Sequence, residues 1–116
     1  MIHSTIRMMI PPEKHGEAVR ILRSIVEQDR IQAGCLSSRI YEDAEEDNIL
    51  MFEEIWRSEE DLRRHLQSEE YPKVLLVAEM ALERPEIRFE VISSTTGIET
   101  VEKARGLRQT TGLAEY

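Results

Sequence analysis

Residues 49–56 of this 116-residue chain, with the sequence ILMFEEIW, decide the class of fold. Successive side chains of a strand point to opposite faces, so residues two apart share a face. Both sets are largely apolar here: Leu50, Phe52 and Trp56 form one set, and Ile49, Met51 and Ile55 form the other. The pattern predicts a strand that is covered on both faces. Since one layer of helices covers a single side of a sheet, a second protomer is expected to cover the other.

Hydrophobic periodicity on either side of this strand makes it the third of four strands. Strands are predicted over residues 1–10, 35–42, 49–56 and 86–93, and helices over residues 13–32, 58–67 and 73–84. With the short helix at 58–67 set aside, the order is β-α-β-β-α-β, the split βαβ arrangement. The sequence therefore predicts an α+β fold with a four-stranded antiparallel sheet and helices on one face.

Local patterns support the second half of this assignment. Ser58 precedes three acidic residues, which is typical of an N-cap followed by the first turn of a helix. Residues 73–84 carry a broad apolar stripe, and Pro85 is predicted to end that helix. The stripe consists of Val74, Leu75, Val77, Ala78 and Leu82, and the apolar side of the last strand consists of Ile87, Phe89 and Val91.

Charge and composition exclude several classes of function. The net charge is −8 and the pI is near 4.9, so a domain-wide basic footprint for nucleic acid is absent and general attraction to anionic membranes is disfavoured. An acidic ligand would need a local basic pocket. The single cysteine, Cys35, excludes an intramolecular disulfide framework. No apolar run approaches the ~20 residues of a membrane span, and residues 1–10 lack the pattern of a signal peptide, so a cytoplasmic location is expected.

A set of short motifs resembles the antibiotic biosynthesis monooxygenase family, and in particular its quinol monooxygenase-like members. The motifs are residues 34–36 (GCL), 41–43 (YED) and 52–56 (FEEIW), then Leu62 and residues 65–66 (HL). The resemblance covers roughly residues 2–93. It implies a ferredoxin-like βαββαβ protomer over residues 1–95, and two such sheets that pack together as a dimeric α+β barrel with the helices outside. Residues 96–116 are expected to form a C-terminal extension, a short helix followed by a loose tail.

The resemblance also implies a range of activities. Well-studied relatives oxygenate aromatic phenols or quinols with molecular oxygen and need no flavin, haem or metal, because the electron-rich substrate supplies the electrons. Other relatives degrade haem, isomerise signalling molecules or have no known reaction. The haem-degrading pattern is absent here: no Asn precedes Asn48, His65 occupies the position of their short-helix Trp, and Leu75 falls near their axial His.

Three residues are candidates for a site, and each has a structural alternative. His65 is the candidate catalytic residue, since an imidazole can act as a base near neutral pH; alternatively it is a partly buried residue that fixes the short helix. Trp56 is a candidate for stacking on a substrate ring, or a core anchor. Tyr71 is a candidate hydrogen-bonding residue in substrate binding, or a loop anchor. The spacing predicts that the His65 side chain points toward the sheet or the edge of a pocket.

No cofactor and no metal are expected from the sequence. The three histidines have no metal-ligand spacing, and there is no Gly-rich phosphate loop. We therefore expect a cofactor-independent monooxygenase that acts on a small aromatic phenol or quinol. The alternative is a non-catalytic dimeric module of the same fold, either small-molecule-binding or stress-related. The expected partners are a second copy of the chain and a small aromatic or hydrophobic ligand, with no nucleic acid and no membrane.

Overall fold

A computed structural model of the chain describes residues 1–106. Its elements are β1 (Ile2–Met9), α1 (Pro12–Arg30), β2 (Cys35–Glu42), β3 (Ile49–Trp56), α2 (Glu59–Leu66), α3 (Tyr71–Glu79), β4 (Glu86–Val91) and α4 (Ile98–Arg105). The strands form one antiparallel sheet in the order β2-β3-β1-β4. The predicted α+β class and the β-α-β-β-α-β order are confirmed. The short helix expected in the extension is α4, and the expected loose tail from residue 107 onward lies outside the described residues.

The core lies between the sheet and the helices. Alternate residues of β1 are buried, beginning with Ile2, as period-two patterning predicts. In α1 the buried positions Ala18, Leu22, Ile25 and Val26 recur at helical spacing and face the sheet. Leu50 and Phe52 of β3 and Val74 and Val77 of α3 complete this cluster.

The two apolar faces of β3 are present as predicted. Leu50, Phe52 and Trp56 point to the core and are at most 1% exposed. Residues 49, 51 and 55 point to the opposite face, which we call the outer face of the sheet. Residues 3, 5, 7 and 9 of β1 share that outer face through the antiparallel register.

The prediction for α3 is wrong in its bounds. The helix begins at Tyr71 and ends at Glu79, rather than running over residues 73–84. After α3 the chain turns back to the sheet, where the Leu82 N–H donates to the Met9 carbonyl at 2.8 Å. Leu82 therefore lies outside the helix and is 61% exposed. Pro85 precedes β4 and does not end the helix.

The last strand is shorter than predicted, and its apolar side is open. β4 ends at Val91, and Ile87, Phe89 and Val91 are 46%, 45% and 71% exposed. β4 lies at the edge of the sheet opposite β2, away from the strands on which α1 and α2 pack. The principal helix–sheet contacts are those of α1 with β2 and of α2 with β3. Among residues 1–106, no helix has both the length and the apolar character needed to cross a membrane.

Candidate functional site

The three side chains singled out from the sequence lie in contact. Trp56 is the last residue of β3, His65 lies in α2, and Tyr71 is the first residue of α3. The Trp56 and His65 rings stack, with centroids 4.5 Å apart and an interplanar angle of 28°. Tyr71 meets the imidazole edge-on, with centroids 5.5 Å apart. His65 is 1% exposed, so the predicted orientation of this side chain toward the sheet is confirmed.

Two carboxylates that sequence reasoning missed complete the site. The Nε2 atom of His65 lies 2.8 Å from Oε2 of Glu54, and its Nδ1 atom lies 3.7 Å from Oδ1 of Asp29. The side chains of all three residues are at most 2% exposed. We call Asp29, Glu54 and His65 the carboxylate–imidazole cluster.

Local sequence explains how the cluster fits beneath the sheet. Glu54 has the same parity as Phe52 and therefore points to the core. In the sheet register its neighbours are Ser4 on β1 and Ser38 on β2, both buried. These small side chains leave room on the core side for a carboxylate and for the groups that contact it. The Ser38 hydroxyl also donates a hydrogen bond of 2.7 Å to Oδ2 of Asp29, which lies in the last turn of α1.

Burial sets the protonation of the cluster. Removal from water, reinforced by the nearby Glu54, raises the pKa of Asp29 to about 8. Burial also raises the pKa of Glu54. It lowers the pKa of His65, and the charge of Asp29 opposes that effect only in part. At neutral pH Asp29 therefore retains its proton and the imidazole is neutral.

A neutral imidazole beside a carboxylate can accept a proton from a bound molecule. The resulting imidazolium would be stabilised by Glu54 at 2.8 Å. That contact is short but poorly aligned, so Oε2 of Glu54 and both ring nitrogens make no well-formed hydrogen bond within the described chain. Catalytic hydrogen bonds are often misaligned without substrate and tighten when it binds. The cluster thus has the chemistry of a general base.

The same three residues are also the group among residues 1–106 whose donor atoms come close enough to suggest a metal site. One ligand atom from each lies within 4.8 Å of the others. An imidazole binds a single ion through one nitrogen, whereas the two nitrogens of His65 face different carboxylates. The 2.8 Å contact between Nε2 and Oε2 is also an ordinary hydrogen-bonding distance. The arrangement fits a shared proton better than a bound metal.

Comparison with known proteins assigns the chain to a family. The pattern of the antibiotic biosynthesis monooxygenase family matches residues 1–74. An uncharacterized protein of Synechocystis sp. is 31% identical over 87 residues, which cover 74% of this chain and 59% of that protein. The chain thus matches less than two thirds of the length of that relative. On these grounds, the chain belongs to the antibiotic biosynthesis monooxygenase family.

Solved structures agree with this assignment. A conserved protein from Methanosarcina mazei Go1 is 26% identical with a TM-score of 0.72, and the match covers 77% of this chain and 89% of that one. A crystal structure of an antibiotic biosynthesis monooxygenase is 20% identical with a TM-score of 0.72, and the match covers 81% of this chain and all of the other. At that identity the second comparison supports the fold alone.

The buried carboxylates predict an unusual dependence of stability on pH. The pKa of Asp29 is raised in the folded state, so its contribution is full below the unfolded value near 3.8 and is lost as pH rises through about 8. The lowered pKa of His65 acts in the opposite sense, but only below its ordinary value of 6.5. Between about pH 6.5 and 8 the free energy of unfolding should fall with rising pH, by up to about 1.4 kcal/mol per unit.

Urea unfolding across this range measures the effect. The Asp29→Asn variant cannot titrate and should flatten the slope. Asp43→Asn is the matched control, because the pKa of the exposed Asp43 is lowered by backbone N–H groups and it titrates below this range. A wild-type free energy of unfolding that does not change with pH would contradict the assigned protonation.

Proposed function

We propose that the protein is a cofactor-independent monooxygenase that oxidises a small aromatic phenol or quinol with molecular oxygen. The observation that carries the proposal is the neutral His65 imidazole, stacked on Trp56 and backed by two buried carboxylates. Deprotonation of a phenol is the step that makes its ring electron-rich enough to react with oxygen. Membership of the family and the monooxygenase name of a structural neighbour agree with this chemistry.

The reaction balances without another reductant. One molecule of hydroquinone and one of dioxygen give one molecule of hydroxybenzoquinone and one of water. His65 accepts the phenolic proton, and the ring carbon beside the phenolate oxygen forms a bond to dioxygen. The O–O bond then breaks, the hydrogen on that carbon leaves as a proton, and water is released. The substrate supplies all four electrons, so neither flavin nor metal is required.

Asp29 and Glu54 act as positioning residues in this scheme. Glu54 orients the imidazole through Nε2 and stabilises its protonated form. Asp29 is protonated, and this proton removes the charge repulsion between two neighbouring carboxyl groups that are buried away from water. Access to His65 is proposed beside Tyr71, because this side chain is only partly buried and its ring meets the imidazole edge-on. A substrate ring would displace the Tyr71 side chain from its contact with the imidazole and would lie against Trp56.

A homodimer is part of the proposal. The outer face of the sheet carries Ile49, Met51 and Ile55 beside the charged Glu53, and its apolar part is stabilised by burial against a second copy. The mass in solution should therefore be twice the 13.5 kDa of the chain.

Replacement of Ile55 by glutamate should weaken this dimer at least about tenfold, because a charge would be buried without a partner. Light scattering at micromolar concentration measures the change. Ile31→Glu is the control, since Ile31 follows α1, is 81% exposed and does not lie on the outer face. A wild-type protein of monomeric mass would contradict the dimer.

The alternative, a dimeric binding or stress-related module without turnover, is favoured by one observation. His65 and Trp56 are each 1% exposed, and the described cavities do not include them. A closed cluster is also what a purely structural network would look like.

Oxygen consumption separates the two functions. The purified protein should accelerate oxygen uptake by simple hydroquinones in an electrode cell, with no added flavin or metal. The rate should not change after exhaustive treatment with a chelator. Uptake no faster than in the absence of protein would contradict the monooxygenase for this substrate class and favour the binding module.

A further inference from the structure

We propose that a groove between α1 and the edge strand β2 binds a small amphiphilic carboxylate, through Arg30 and Arg39 at its head and an apolar floor beneath its body. The groove has a volume of about 400 Å³. A second cavity of about 220 Å³ adjoins it, and the two share Arg30 and Arg39. Neither cavity is lined by Trp56, His65 or Tyr71. Arg39 lies on the edge strand β2, in register with Glu53 of the outer face, so the site lies at the rim of the proposed dimer interface.

The guanidinium groups of Arg30 and Arg39 are available to bind an anion. The chain has 23 acidic and 15 basic residues, and Arg7, Arg57, Arg64 and Arg88 each lie within 4.0 Å of a carboxylate. Arg30 and Arg39 are among the arginines of residues 1–106 that have no such partner, and they are the two that line both cavities. In a protein with an excess of acids, two adjacent arginines without acidic partners form a local basic site that can attract an anion.

The smaller cavity is the part of the groove that suits the carboxylate head of the ligand. The smaller cavity is lined by Arg30, Arg39 and residues 35–38, and contains no acidic side chain. The thiol of Cys35 in its wall is neutral, because burial raises its pKa to about 11. Arg30 is also held in place, since its guanidinium donates to the Ser38 carbonyl at 3.1 Å. A carboxylate at this end would meet the fixed guanidinium of Arg30 and the exposed guanidinium of Arg39, in a cavity that no acidic side chain of residues 1–106 lines.

The larger cavity can accommodate the apolar body of the ligand. Its floor includes Val19, Val26 and Ile40, and Tyr41 stands at its wall. Glu27 and Glu42 also line this part of the groove and outnumber the one basic side chain there, Arg23. Glu42 is engaged with His15 at 2.8 Å. A second negative charge on the body of the ligand would be repelled here. The site therefore favours a monoanion with an apolar, ring-sized body over a polyanion such as a nucleotide.

Titration with 2-naphthoate, followed by calorimetry, tests the proposal on the full chain. The uncharged 2-naphthamide has the same ring system and serves as the matched ligand. We expect saturable binding of 2-naphthoate, and binding of the amide weaker by about tenfold or more, since hydrogen bonds to a charged group are worth at least that factor. Added salt should weaken the binding of naphthoate and leave that of the amide unchanged.

The double variant Arg30→Gln, Arg39→Gln should lose about tenfold or more in affinity for 2-naphthoate. Arg63→Gln is the control, since Arg63 is exposed on α2 and lines neither cavity. Bound naphthoate should also slow alkylation of Cys35 by a maleimide, and this protection should disappear in the double variant. Absence of saturable binding, equal affinity for the amide, or unchanged affinity in the double variant would each overturn the proposal. None of these measurements depends on turnover.

Discussion

Replacement of His65 by alanine is expected to lower the turnover of a hydroquinone by about 10²-fold or more, the usual contribution of a positioned base. The imidazole can accept a proton at neutral pH, because its pKa is lowered and it is therefore neutral, whereas Asp29 already retains its proton. The substitution also removes the ring that stacks on Trp56 and leaves Glu54 without its contact at 2.8 Å. A lower melting temperature should therefore accompany the loss of activity.

His65→Gln separates catalysis from stability. Glutamine can still donate a hydrogen bond to Glu54 but cannot act as a base, so turnover should fall as in the alanine variant while much of the melting temperature is retained. His15→Ala is the control, since His15 is a more exposed histidine that pairs with Glu42 far from the cluster. Full activity in His65→Gln would show that His65 has only a structural role.

Substitution of Gly34 by alanine is expected to lower the free energy of unfolding by about 3 kcal/mol, as the sum of backbone strain and overpacking. Gly34 has a φ of +85°, a region that side-chain-bearing residues rarely adopt. A methyl group there would also overlap the carboxylate of Asp61, which is 4% exposed.

That carboxylate cannot easily move away. Oδ2 of Asp61 accepts a hydrogen bond from the Ser58 hydroxyl at 2.8 Å, and the two oxygens pair with Arg57 and Arg64 at 3.3 and 3.2 Å. The Asp61 N–H in turn donates to the Ser58 hydroxyl and caps α2. Gly34→Ala should therefore also disturb the start of the helix that carries His65.

Two other glycines provide controls for this measurement by urea unfolding. Gly106 has a φ of +70°, and no atom of residues 1–106 lies within 4 Å of an added methyl group, so its alanine variant should show the backbone cost alone, of about 1 kcal/mol. Gly16 lies inside α1 with open space around it, so Gly16→Ala should stabilise the protein by about 0.5–1 kcal/mol. A Gly34→Ala variant as stable as the wild type would contradict the packing of Asp61 beneath this turn.

The fold could be predicted largely from β3 and its neighbours, because alternation and helical spacing report directly on which side chains are buried. Trp56 and His65 belong to the family motifs, whereas Tyr71 lies outside them, and the contacts among the three were not predicted. The end of α3 was missed because Pro85 is a strong local signal, whereas the hydrogen bond from Leu82 to Met9 is a tertiary contact. The open side of β4 was missed for a similar reason, since which strands the helices cover depends on the topology.

The carboxylates of the cluster were missed because acidic residues are usually solvated, and the chain has 23 of them. A signal was nevertheless present. Asp29 continues the buried stripe of α1, four residues after Ile25, and Glu54 shares the parity of Phe52 and Trp56. Its neighbour Glu53 has the opposite parity and accepts from His3 at 3.0 Å on the other face. A charged residue that interrupts an apolar stripe is the pattern that would have identified both.

The central claim is that the chain inserts one atom of molecular oxygen into a phenolic ring without a cofactor. Incubation of the chelator-treated protein with hydroquinone under ¹⁸O₂, followed by mass spectrometry of the quinone product, tests it most directly. We predict a hydroxyquinone with one labelled ring oxygen, the second labelled atom released as water, and loss of this product in His65→Gln. A product with no label, or hydrogen peroxide formed in place of the labelled quinone, would contradict the claim.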